Sequence, residues 1–427
     1  MVAKDEGRHG MPTDETVGLL GIINLVRTGR AMTRSDLGRV TGLGRGVVTQ
    51  RLERAFALGF LGEGVLAPSS GGRAPKKLQF LANQGMIVSC VVTAEQIEVG
   101  VAMLDGNVLG HCNKAWDMSR GPMETFEATR HVIDKLLAKE AFLPVWGVVI
   151  GLPCQVNFSE GRVVAAPGMS SGWGGIKVRD YFEERYRAPV WVDSEINLLA
   201  IGERTGLATT NPDLIYCKVD AGVSSALLTQ GRVHRGANGA AGELGHVKVA
   251  GSADVCRCGD LGCLEAIAGG WALLRSAGSA MGEGASTSLL RILMRRALSL
   301  EDLTQAARDG DALSVSLVQA SARTTGEALS RLVSMFNPDA VILTGAVAST
   351  GELFLSEVRQ RIYELASPLA TRDLTIGLSA FEPQAGVRGG IELALEQLFE
   401  VTFADWFANS RPSPQTQDSA PCDSKAR

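Results

Sequence analysis

The chain has 427 residues, 45% hydrophobic residues and a net charge of −4, which is ordinary for a soluble globular protein of two or three domains. The N-terminal stretch MVAKDEGRHGMPTDE is polar and lacks the apolar region of a signal peptide. No apolar run reaches the roughly 18 residues of a membrane span. These features exclude exported and membrane-embedded classes and predict a cytoplasmic protein with no membrane partner.

The first eighty residues carry three patterns of helical spacing separated by short turns. The apolar face that predicts a first helix consists of Val17, Leu20, Ile23 and Val26. Thr33 is expected to cap a second helix, with Asp36 in its first turn. That helix is expected to bury Leu37 and Val40, and the turn at 41–43 leads into a third helix.

The third helix is the one expected to contact DNA. Its buried side is expected to hold Val47 or Val48, Leu52 and Phe56. Helix, short glycine turn and helix form the helix-turn-helix pattern, whose second helix enters the major groove. A small helical protein-interaction domain is the alternative interpretation. The residues predicted to contact DNA are Ser35, Arg45, Thr49, Gln50, Arg54, Arg73 and Lys76.

Two short strands predicted around a glycine-rich tip at 69–73 make this a winged helix-turn-helix. Between Arg27 and Lys77, ten Lys or Arg residues stand against three acidic residues, so this window carries +7 within a protein of −4. Phosphate contacts need such an excess of positive charge. We therefore predict a module at 13–82 that binds double-stranded DNA, after a flexible segment at 1–12.

One histidine and three cysteines are clustered at 246–263. A structural zinc site takes four nitrogen or sulfur ligands from the protein in tetrahedral geometry. The C-x-C-x4-C spacing, with two glycines between the last two cysteines, lets three thiolates converge. Unrelated buried cysteines are the alternative. The predicted ligands of one structural Zn²⁺ are His246, Cys256, Cys258 and Cys263.

Around this cluster the chain resembles the ROK family (repressors, open reading frames and sugar kinases). The matching residues are Glu243-Leu244-Gly245-His246 and Cys256-x-Cys258-Gly259-x-x-Gly262-Cys263-x-Glu265. The resemblance runs from about Thr13 to about Phe403. The Gly-Gly-Arg sequence at 71–73 also resembles the wing of the family's repressors, whose arginine is thought to enter the minor groove. A guanidinium suits narrow A·T-rich grooves, which concentrate negative potential.

After residue 86, strands alternate with helices, which predicts an α/β architecture. The resemblance implies the two-lobed, actin-like (ribonuclease H-like) sugar-kinase fold, with a ligand cleft between the lobes. The expected boundaries are 83–205 for lobe 1, 206–408 for lobe 2 with the zinc motif, and 409–427 for a disordered tail. The last helix, at 389–399, is expected to pack back on lobe 1.

Four places where the family's kinases hold ATP or activate the sugar are altered here. The D-x-G-x-T turn reads VVTAE at 91–95, the G-x-G-x-G turn reads GVSSA at 222–226, and a double glycine is reduced to Gly345. The position of the catalytic aspartate holds Glu195, one methylene longer, with Asp193 as a lower-ranked alternative. We therefore predict no catalytic residue, no bound ATP and no enzymatic activity.

The sugar side of the cleft is better preserved. The resemblance implies that Glu243 and Glu265 hydrogen-bond sugar hydroxyls while His246 both binds zinc and points at the sugar. Gly168 stands where the family has asparagine, so one edge of the pocket is remodelled. Alternatively, Glu243 and Glu265 only support the zinc loop. The predicted ligand-binding residues are Glu243, His246, Glu265, Glu195, Asn197 and Gly172.

These features predict a transcription regulator, with repression as the expected mode, of a carbohydrate-related operon. Its effector would be a sugar or sugar derivative bound in a kinase-inactive ROK domain. An active ATP-dependent sugar kinase with an added DNA-binding module is the alternative, and a ligand-independent architectural DNA-binding protein is the third reading. Helix-turn-helix proteins read paired half-sites, so we expect a homodimer or a dimer of dimers.

Overall fold

The computed structural model describes residues 14–66, 76–139, 143–165, 172–207, 212–380 and 384–408. Several predictions therefore lie outside the described residues: the flexible segment at 1–12, the wing tip with Arg73, Gly168, and the tail at 409–427. Within the described ranges, no helix is long and apolar enough to cross a membrane.

The N-terminal module contains the three predicted helices followed by a two-stranded antiparallel sheet. Thr33 caps the second helix, because its hydroxyl accepts a hydrogen bond from the backbone N–H of Asp36 at 3.1 Å. Gly42 ends that helix with a φ of 70°. The elements are α1 (Asp14–Arg27), α2 (Arg34–Thr41), α3 (Arg45–Ala57), β1 (Leu61–Leu66) and β2 (Lys76–Phe80).

Two valines predicted to be buried in this module are exposed instead. Val17 is 53% exposed because it precedes the buried Leu19 by two residues, which places it on the opposite side of the helix. Val40 is 48% exposed because α2 reaches the core through Leu37 alone. In α3, Val48 rather than Val47 is the buried valine. The first helix therefore buries a face shifted toward Leu19 and Ile22, and the second helix buries a narrower stripe than its apolar spacing predicted.

Lobe 1 is built on a five-stranded sheet in the order β5-β4-β3-β6-β9. The first three strands are antiparallel neighbours, while β3, β6 and β9 run parallel. The strands are β3 (Met86–Val92), β4 (Gln96–Met103), β5 (Val108–Ala115), β6 (Val145–Leu152), the hairpin β7 (Gln155–Asn157) and β8 (Arg162–Ala165), and β9 (Val190–Ser194). The helices are α4 (Pro122–Leu137), α5 (Val178–Tyr186) and α6 (Glu195–Arg204). Strand β5 was not predicted, because it is a half-exposed edge strand without a continuous apolar run.

Lobe 2 repeats the same plan, in the order β12-β11-β10-β13-β14, with antiparallel strands first and parallel strands last. This duplicated α/β arrangement confirms the predicted two-lobed fold. The strands are β10 (Leu214–Val219), β11 (Val223–Thr229), β12 (Arg232–Val233), β13 (Ala340–Thr344) and β14 (Thr375–Leu378). The helices are α7 (Glu265–Ala268), α8 (Gly270–Gly282), α9 (Leu289–Leu293), α10 (Leu300–Arg308), α11 (Ala312–Phe336), α12 (Glu352–Leu365) and α13 (Pro368–Thr371).

The C-terminal elements return from lobe 2 to lobe 1. Helix α14 (Ala385–Gln397) packs on α6, β3 and β6, and it continues through a π-helical turn (Leu398–Thr402) into α15 (Phe403–Ala408). Its apolar residues share one buried cluster with lobe 1 and the N-terminal module. The last helices are therefore a common support for lobe 1 and for the helix-turn-helix.

Candidate functional site

The four predicted zinc ligands come together in the structure. Their ligand atoms all lie within 4.8 Å of one another, and Cys256 and Cys263 are buried while Cys258 is exposed. His246 Nδ1 lies 3.9 Å from Cys256 Sγ, and Cys258 Sγ lies 3.8 Å from Cys263 Sγ. The imidazole nitrogen facing this cluster is Nδ1, so Nε2 is left to face away from it.

These separations fit a tetrahedral zinc. Zinc–sulfur bonds of about 2.3 Å at tetrahedral angles put two sulfur ligands about 3.8 Å apart. One imidazole nitrogen and three thiolates are also a known structural donor set for zinc. Lys248 Nζ donates to Cys263 Sγ at 3.2 Å, which offsets part of the negative charge that three thiolates bring. The four residues could therefore hold a metal ion, and their donor atoms and spacing are compatible with a structural zinc.

The zinc loop, residues 242–265, is held against strand β11 by close backbone contacts. The Ser225 hydroxyl donates to the carbonyl of Gly242 at 2.7 Å. A Cβ on Gly245 would overlap the carbonyl of Val223, so only glycine allows this approach. The loop presents Leu244 to the core of lobe 2, while the neighbouring Glu243 remains partly exposed.

The residues predicted to bind the sugar, Glu243, His246 and Glu265, belong to this loop. His246 Nε2 lies 4.0 Å from Glu243 Oε2. Glu265 begins α7, and its Oε2 accepts a hydrogen bond from the backbone N–H of Val223 at 3.2 Å. Glu265 is therefore tied to the β10–β11 turn, while Glu243 keeps more freedom to meet a ligand. Carboxylates suit polyols because each can accept more than one hydroxyl proton.

Glu195, predicted to replace the kinase catalytic carboxylate, is bound in an ion pair between the lobes. Its Oε1 accepts a hydrogen bond from Lys218 Nζ of β10 at 2.7 Å. Lys218 Nζ also lies 3.6 Å from Asp220. The Glu195 side chain is only 8% exposed, and its Oε2 has no hydrogen-bond partner among the described residues. A buried carboxylate oxygen without a hydrogen-bond partner is energetically costly.

Asp193 is held in a second ion pair between the lobes. It is 2% exposed, and its Oδ2 accepts hydrogen bonds from Arg235, whose guanidinium also lies 3.9 Å from the Phe158 ring. Its Oδ1 accepts from the Asn197 side chain at 2.7 Å. Asp193 is therefore no substitute for a free catalytic base, and the amide group of Asn197 is partly committed to holding it.

Besides its burial, the charges of Glu195 and Glu243 both raise the pKa of the Cys154 thiol. Burial first, and then the charges of these two carboxylates, raise the pKa of Cys154 to about 12. The two glutamates come from different lobes, so the cleft between the lobes brings them into one electrostatic environment.

Gly172, which was also predicted to bind the ligand, lies against the first turn of α4, where a Cβ on it would stand 3.6 Å from Pro122. No described contact joins Gly172 to the zinc loop.

The three turns that lack the kinase glycines are hairpin or strand ends. Thr93 closes the β3–β4 turn by accepting from the backbone N–H of Gln96 at 3.2 Å, with Glu95 exposed at its tip. Gly222 precedes β11, and a Cβ there would overlap the Glu265 carboxylate. A negatively charged carboxylate so close to this turn repels phosphate, in addition to the missing glycines.

The predicted DNA-contacting face is on the surface of the module. Thr49 is half-buried, Lys76 forms an ion pair with Glu63 at 2.5 Å, and Arg73 lies outside the described residues. The charge of Lys76 is thus partly neutralised by Glu63 on the other strand of the wing. The exposed predicted contacts are Ser35, Arg45, Gln50, Arg54 and Lys76.

Two cleft residues, Lys218 and Arg235, were missed in the sequence. Lys218 interrupts the buried run of β10, LIYCKV, and a charge within such a run signals a buried partner. Arg235 lies in a polar loop and carries no such signal. The partners of both residues, Glu195 and Asp193, are identified only when the second lobe is placed against the first.

The ROK family model matches residues 92–397, well over half of the chain. The xylose repressor of Caldicellulosiruptor bescii is 25% identical over 385 residues, which cover 90% of this chain and 96% of that protein. The glucokinase of Halalkalibacterium halodurans is 28% identical over 254 residues, which cover 59% of this chain and 76% of that enzyme.

Solved structures resemble the chain in the same two groups. A ROK family transcriptional regulator described as a homolog of the E. coli MLC protein superimposes with a TM-score of 0.76 at 21% identity, covering 93% of this chain and 98% of that one. A ROK family glucokinase from Streptomyces griseus, in complex with glucose and AMPPNP, gives 0.60 at 27% identity and covers 73% of this chain and 99% of that one. The regulator likeness shows a shared fold. With the family model matching residues 92–397, the chain belongs to the ROK family.

Proposed function

We propose that this protein is a DNA-binding transcriptional repressor whose affinity for its operator is set by a sugar or sugar derivative bound between the two lobes. One observation carries the proposal: the chain joins a helix-turn-helix to a cleft that keeps Glu243, His246 and Glu265 but not the phosphate-binding turns. The full-length likeness to a protein named xylose repressor supports it. A repressor acts on the chromosome, so this function implies a cytoplasmic protein.

The effector we infer is an uncharged or amino-bearing polyol and not a sugar phosphate. Apart from the ion pair of Asp193 with Arg235, four carboxylates stand in or beside the cleft against one ammonium, that of Lys218. An anionic ligand would meet a net negative field there, whereas hydroxyls can donate to carboxylate oxygens. The four acids are Glu195, Asp220, Glu243 and Glu265.

We further propose that the kinase activity has been lost. Lys218 occupies one oxygen of Glu195, and the turns at 91–95 and 222–226 lack the glycines that would cradle phosphate. A shift of the base by about 1 Å can already cost a hundredfold in rate. The relatives include glucokinases, so an activity measurement is the direct test.

The cofactor we propose is one structural zinc per chain, held by His246, Cys256, Cys258 and Cys263. When bound, the metal supplies rigidity and no chemistry, because all four positions are taken by protein ligands. It would fix the loop that carries Glu243 and fix the ring that turns His246 Nε2 toward it.

The operator partner is proposed to be double-stranded DNA with paired half-sites, read by a homodimer or a dimer of dimers. The test combines two titrations on the full-length protein. DNA duplexes are first selected from a random-sequence library, and their affinity is then measured with D-xylose, D-glucose or N-acetylglucosamine present. Failure to select any duplex, or an affinity unaffected by every sugar that binds, would contradict the proposed function.

A further inference from the structure

One helix connects the candidate ligand cleft with the DNA-binding module. Helix α6 begins at Glu195 in the cleft and ends at Arg204, about 14 Å away at about 1.5 Å per residue. Arg204 lines a cavity of about 890 Å³ that is bordered by α1, α14 and the β11–β12 turn. A displacement of this helix at Glu195 should therefore also move Arg204.

Helices α6 and α14 are packed backbone to backbone. A Cβ on Gly202 would overlap the carbonyl of Ala385, and a Cβ on Gly389 would overlap the carbonyl of Leu198. Side chains that could repack do not separate the two helices at these crossings. Because a close-packed contact transmits displacement and does not absorb it, α6 and α14 should move as one body.

Arg204 ties the ends of these helices to lobe 2. Its guanidinium donates to Glu396 Oε1 of α14 at 2.8 Å and also to the carbonyl oxygen of Gly231 in the β11–β12 turn. The next residue of that turn, Arg232, donates to both oxygens of Glu400, at 2.9 and 2.7 Å. Arg204 is thus the point where lobe 1, lobe 2 and α14 meet.

The DNA-binding module contacts this junction through Arg27, the last residue of α1. The Arg27 guanidinium lies 4.9 Å from the centre of the Phe399 ring. Burial lowers the pKa of Arg27, and the charges of nearby Glu392, Glu396 and Glu400 oppose that effect. Arg27, Arg204 and Arg232 thus lie with Glu392, Glu396 and Glu400 in one charge cluster, and Arg30 and Arg51 line the same cavity.

A group of aromatic side chains borders the charge cluster at the same interface. Phe60 of the module lies 5.8 Å from Trp146 and 5.4 Å from Phe403, and Phe80 lies 5.8 Å from Phe399. Phe399 belongs to both groups, because the Arg27 guanidinium lies over the ring that Phe80 contacts. The module is therefore held by aromatic contacts directly next to the charge cluster.

We propose that Arg204 is the residue that couples the ligand cleft to the DNA-binding module. It transfers movement of α6 to Glu396 and, through the charge cluster, to Arg27. This inference rests on the proposed function, since it assigns the route by which a sugar changes DNA affinity. Arg204 is a positioning residue: it contacts neither the candidate ligand residues nor the predicted DNA face.

The test measures three quantities on the full-length protein: DNA affinity, sugar affinity, and the change of DNA affinity at saturating sugar. D-Xylose, D-glucose and N-acetylglucosamine are the probes. For wild type we expect a change of about tenfold or more, within the usual range of allosteric coupling. For Arg204→Ala we expect the sugar to bind as in wild type but to change DNA affinity by less than about twofold.

If Arg204→Ala folds poorly, Glu396→Gln tests the same contact. Glu396→Gln removes the charge of the partner but leaves the Arg204 bond to Gly231 in place. If both residues act on one route, the double variant Arg204→Ala/Glu396→Gln should lose no more of the sugar effect on DNA affinity than either single variant does. Arg331→Ala, at an exposed site on α11, is the matched control and should respond as wild type does.

The outcomes separate the two proposals. If wild type binds a sugar without any change in DNA affinity, the proposed function fails. If sugar changes the DNA affinity of wild type, and changes that of Arg204→Ala and Glu396→Gln by the same factor, the proposed function stands and the proposed coupling route is wrong. Hydrogen exchange of α1 gives a second readout, because sugar should change its protection in wild type and leave it unchanged in Arg204→Ala.

Discussion

Lys218 Nζ and Glu195 Oε1 lie 2.7 Å apart, in a bond that joins lobe 2 to lobe 1 at the residue predicted to replace the kinase catalytic carboxylate. The bond leaves only the buried Oε2 of Glu195 without a partner among the described residues. A carboxylate held in this way can accept a hydroxyl, but it is poorly placed to follow that hydroxyl through a phosphoryl transfer.

The first prediction concerns catalysis. With ATP and magnesium, phosphorylation of D-xylose, D-glucose or N-acetylglucosamine should not exceed the level of a protein-free control. Glu195→Asp and the double variant Glu195→Asp/Lys218→Ala should remain inactive, because the phosphate turns at 91–95 and 222–226 are altered as well. Coupled measurement of ADP release is the assay, with an active ROK glucokinase as positive control. Turnover by wild type would remove the pseudo-kinase interpretation.

The second prediction concerns metal. Elemental analysis of the purified protein should find about one zinc per chain, and Cys258→Ser should lose it and lower the melting temperature. Cys258 is the suitable target because it is exposed, so the substitution removes a ligand without opening a core cavity. Cys112→Ser, which changes a half-buried cysteine of lobe 1, is the control and should keep its zinc. Wild type free of zinc after purification without chelators would contradict the assignment.

The third prediction concerns DNA. Gln50→Ala should change the preferred operator bases, because Gln50 is exposed on α3, the helix expected in the major groove. Lys76→Ala should weaken all duplexes by a similar factor and reduce the salt dependence of binding. Selection of duplexes by each variant, followed by titration at several salt concentrations, separates the two effects. Arg73→Ala should weaken binding most where the flank is A·T-rich.

Local patterns in the sequence predicted the elements that depend on near neighbours. The Thr33 cap and the helix that follows it depend on spacing within a few residues, and His246 converges with three cysteines of one continuous segment, at 246–263. The pairs Lys218–Glu195 and Arg204–Glu396 join residues that are 23 and 192 positions apart. Their partners depend on how the lobes and the last helix are placed, which short-range periodicity does not encode. Val17 and Val40 show a further limit, because apolar residues in a short surface module can outnumber its buried positions.

The fourth prediction concerns stability at acid pH. Asp302 closes a capping box with Ser299 at the start of α10 and forms an ion pair with Arg296. The hydrogen bond from Arg296 is the largest cause of a pKa well below the ordinary 3.8 of an aspartate. Because the folded-state pKa is lower, ionised Asp302 stabilises the fold above about pH 4, and this contribution is lost as the pH falls.

Asp302→Asn should therefore destabilise the fold by about 0.3–1 kcal/mol at neutral pH, the usual contribution of a carboxylate in the first turn of a helix. The difference in melting temperature from wild type should narrow between pH 5 and pH 2. Asp309→Asn, at the exposed end of the same helix, is the control and should change little. A difference that stays constant over this pH range would contradict the role of the ionised carboxylate.

The last prediction concerns the effector. Glu243 carries a partly exposed carboxylate at 4.0 Å from His246 Nε2, whereas Glu265 is already bonded to the backbone of Val223. Of the two, Glu243 is freer to receive a sugar hydroxyl. Glu243→Gln keeps the size and one acceptor oxygen but loses the charge, so it should retain zinc, fold and DNA binding while losing the response to sugar.

The measurement is a DNA-binding titration with and without D-xylose, D-glucose or N-acetylglucosamine, on wild type and Glu243→Gln. A tenfold effect on DNA affinity needs only about 1.4 kcal/mol of coupling, which a few hydroxyl–carboxylate bonds made in one state can supply. Glu283→Gln, an exposed glutamate at the end of α8, is the control and should respond as wild type does. If Glu243→Gln responds at the same sugar concentration and to the same extent as wild type, the effector is not bound at the zinc loop.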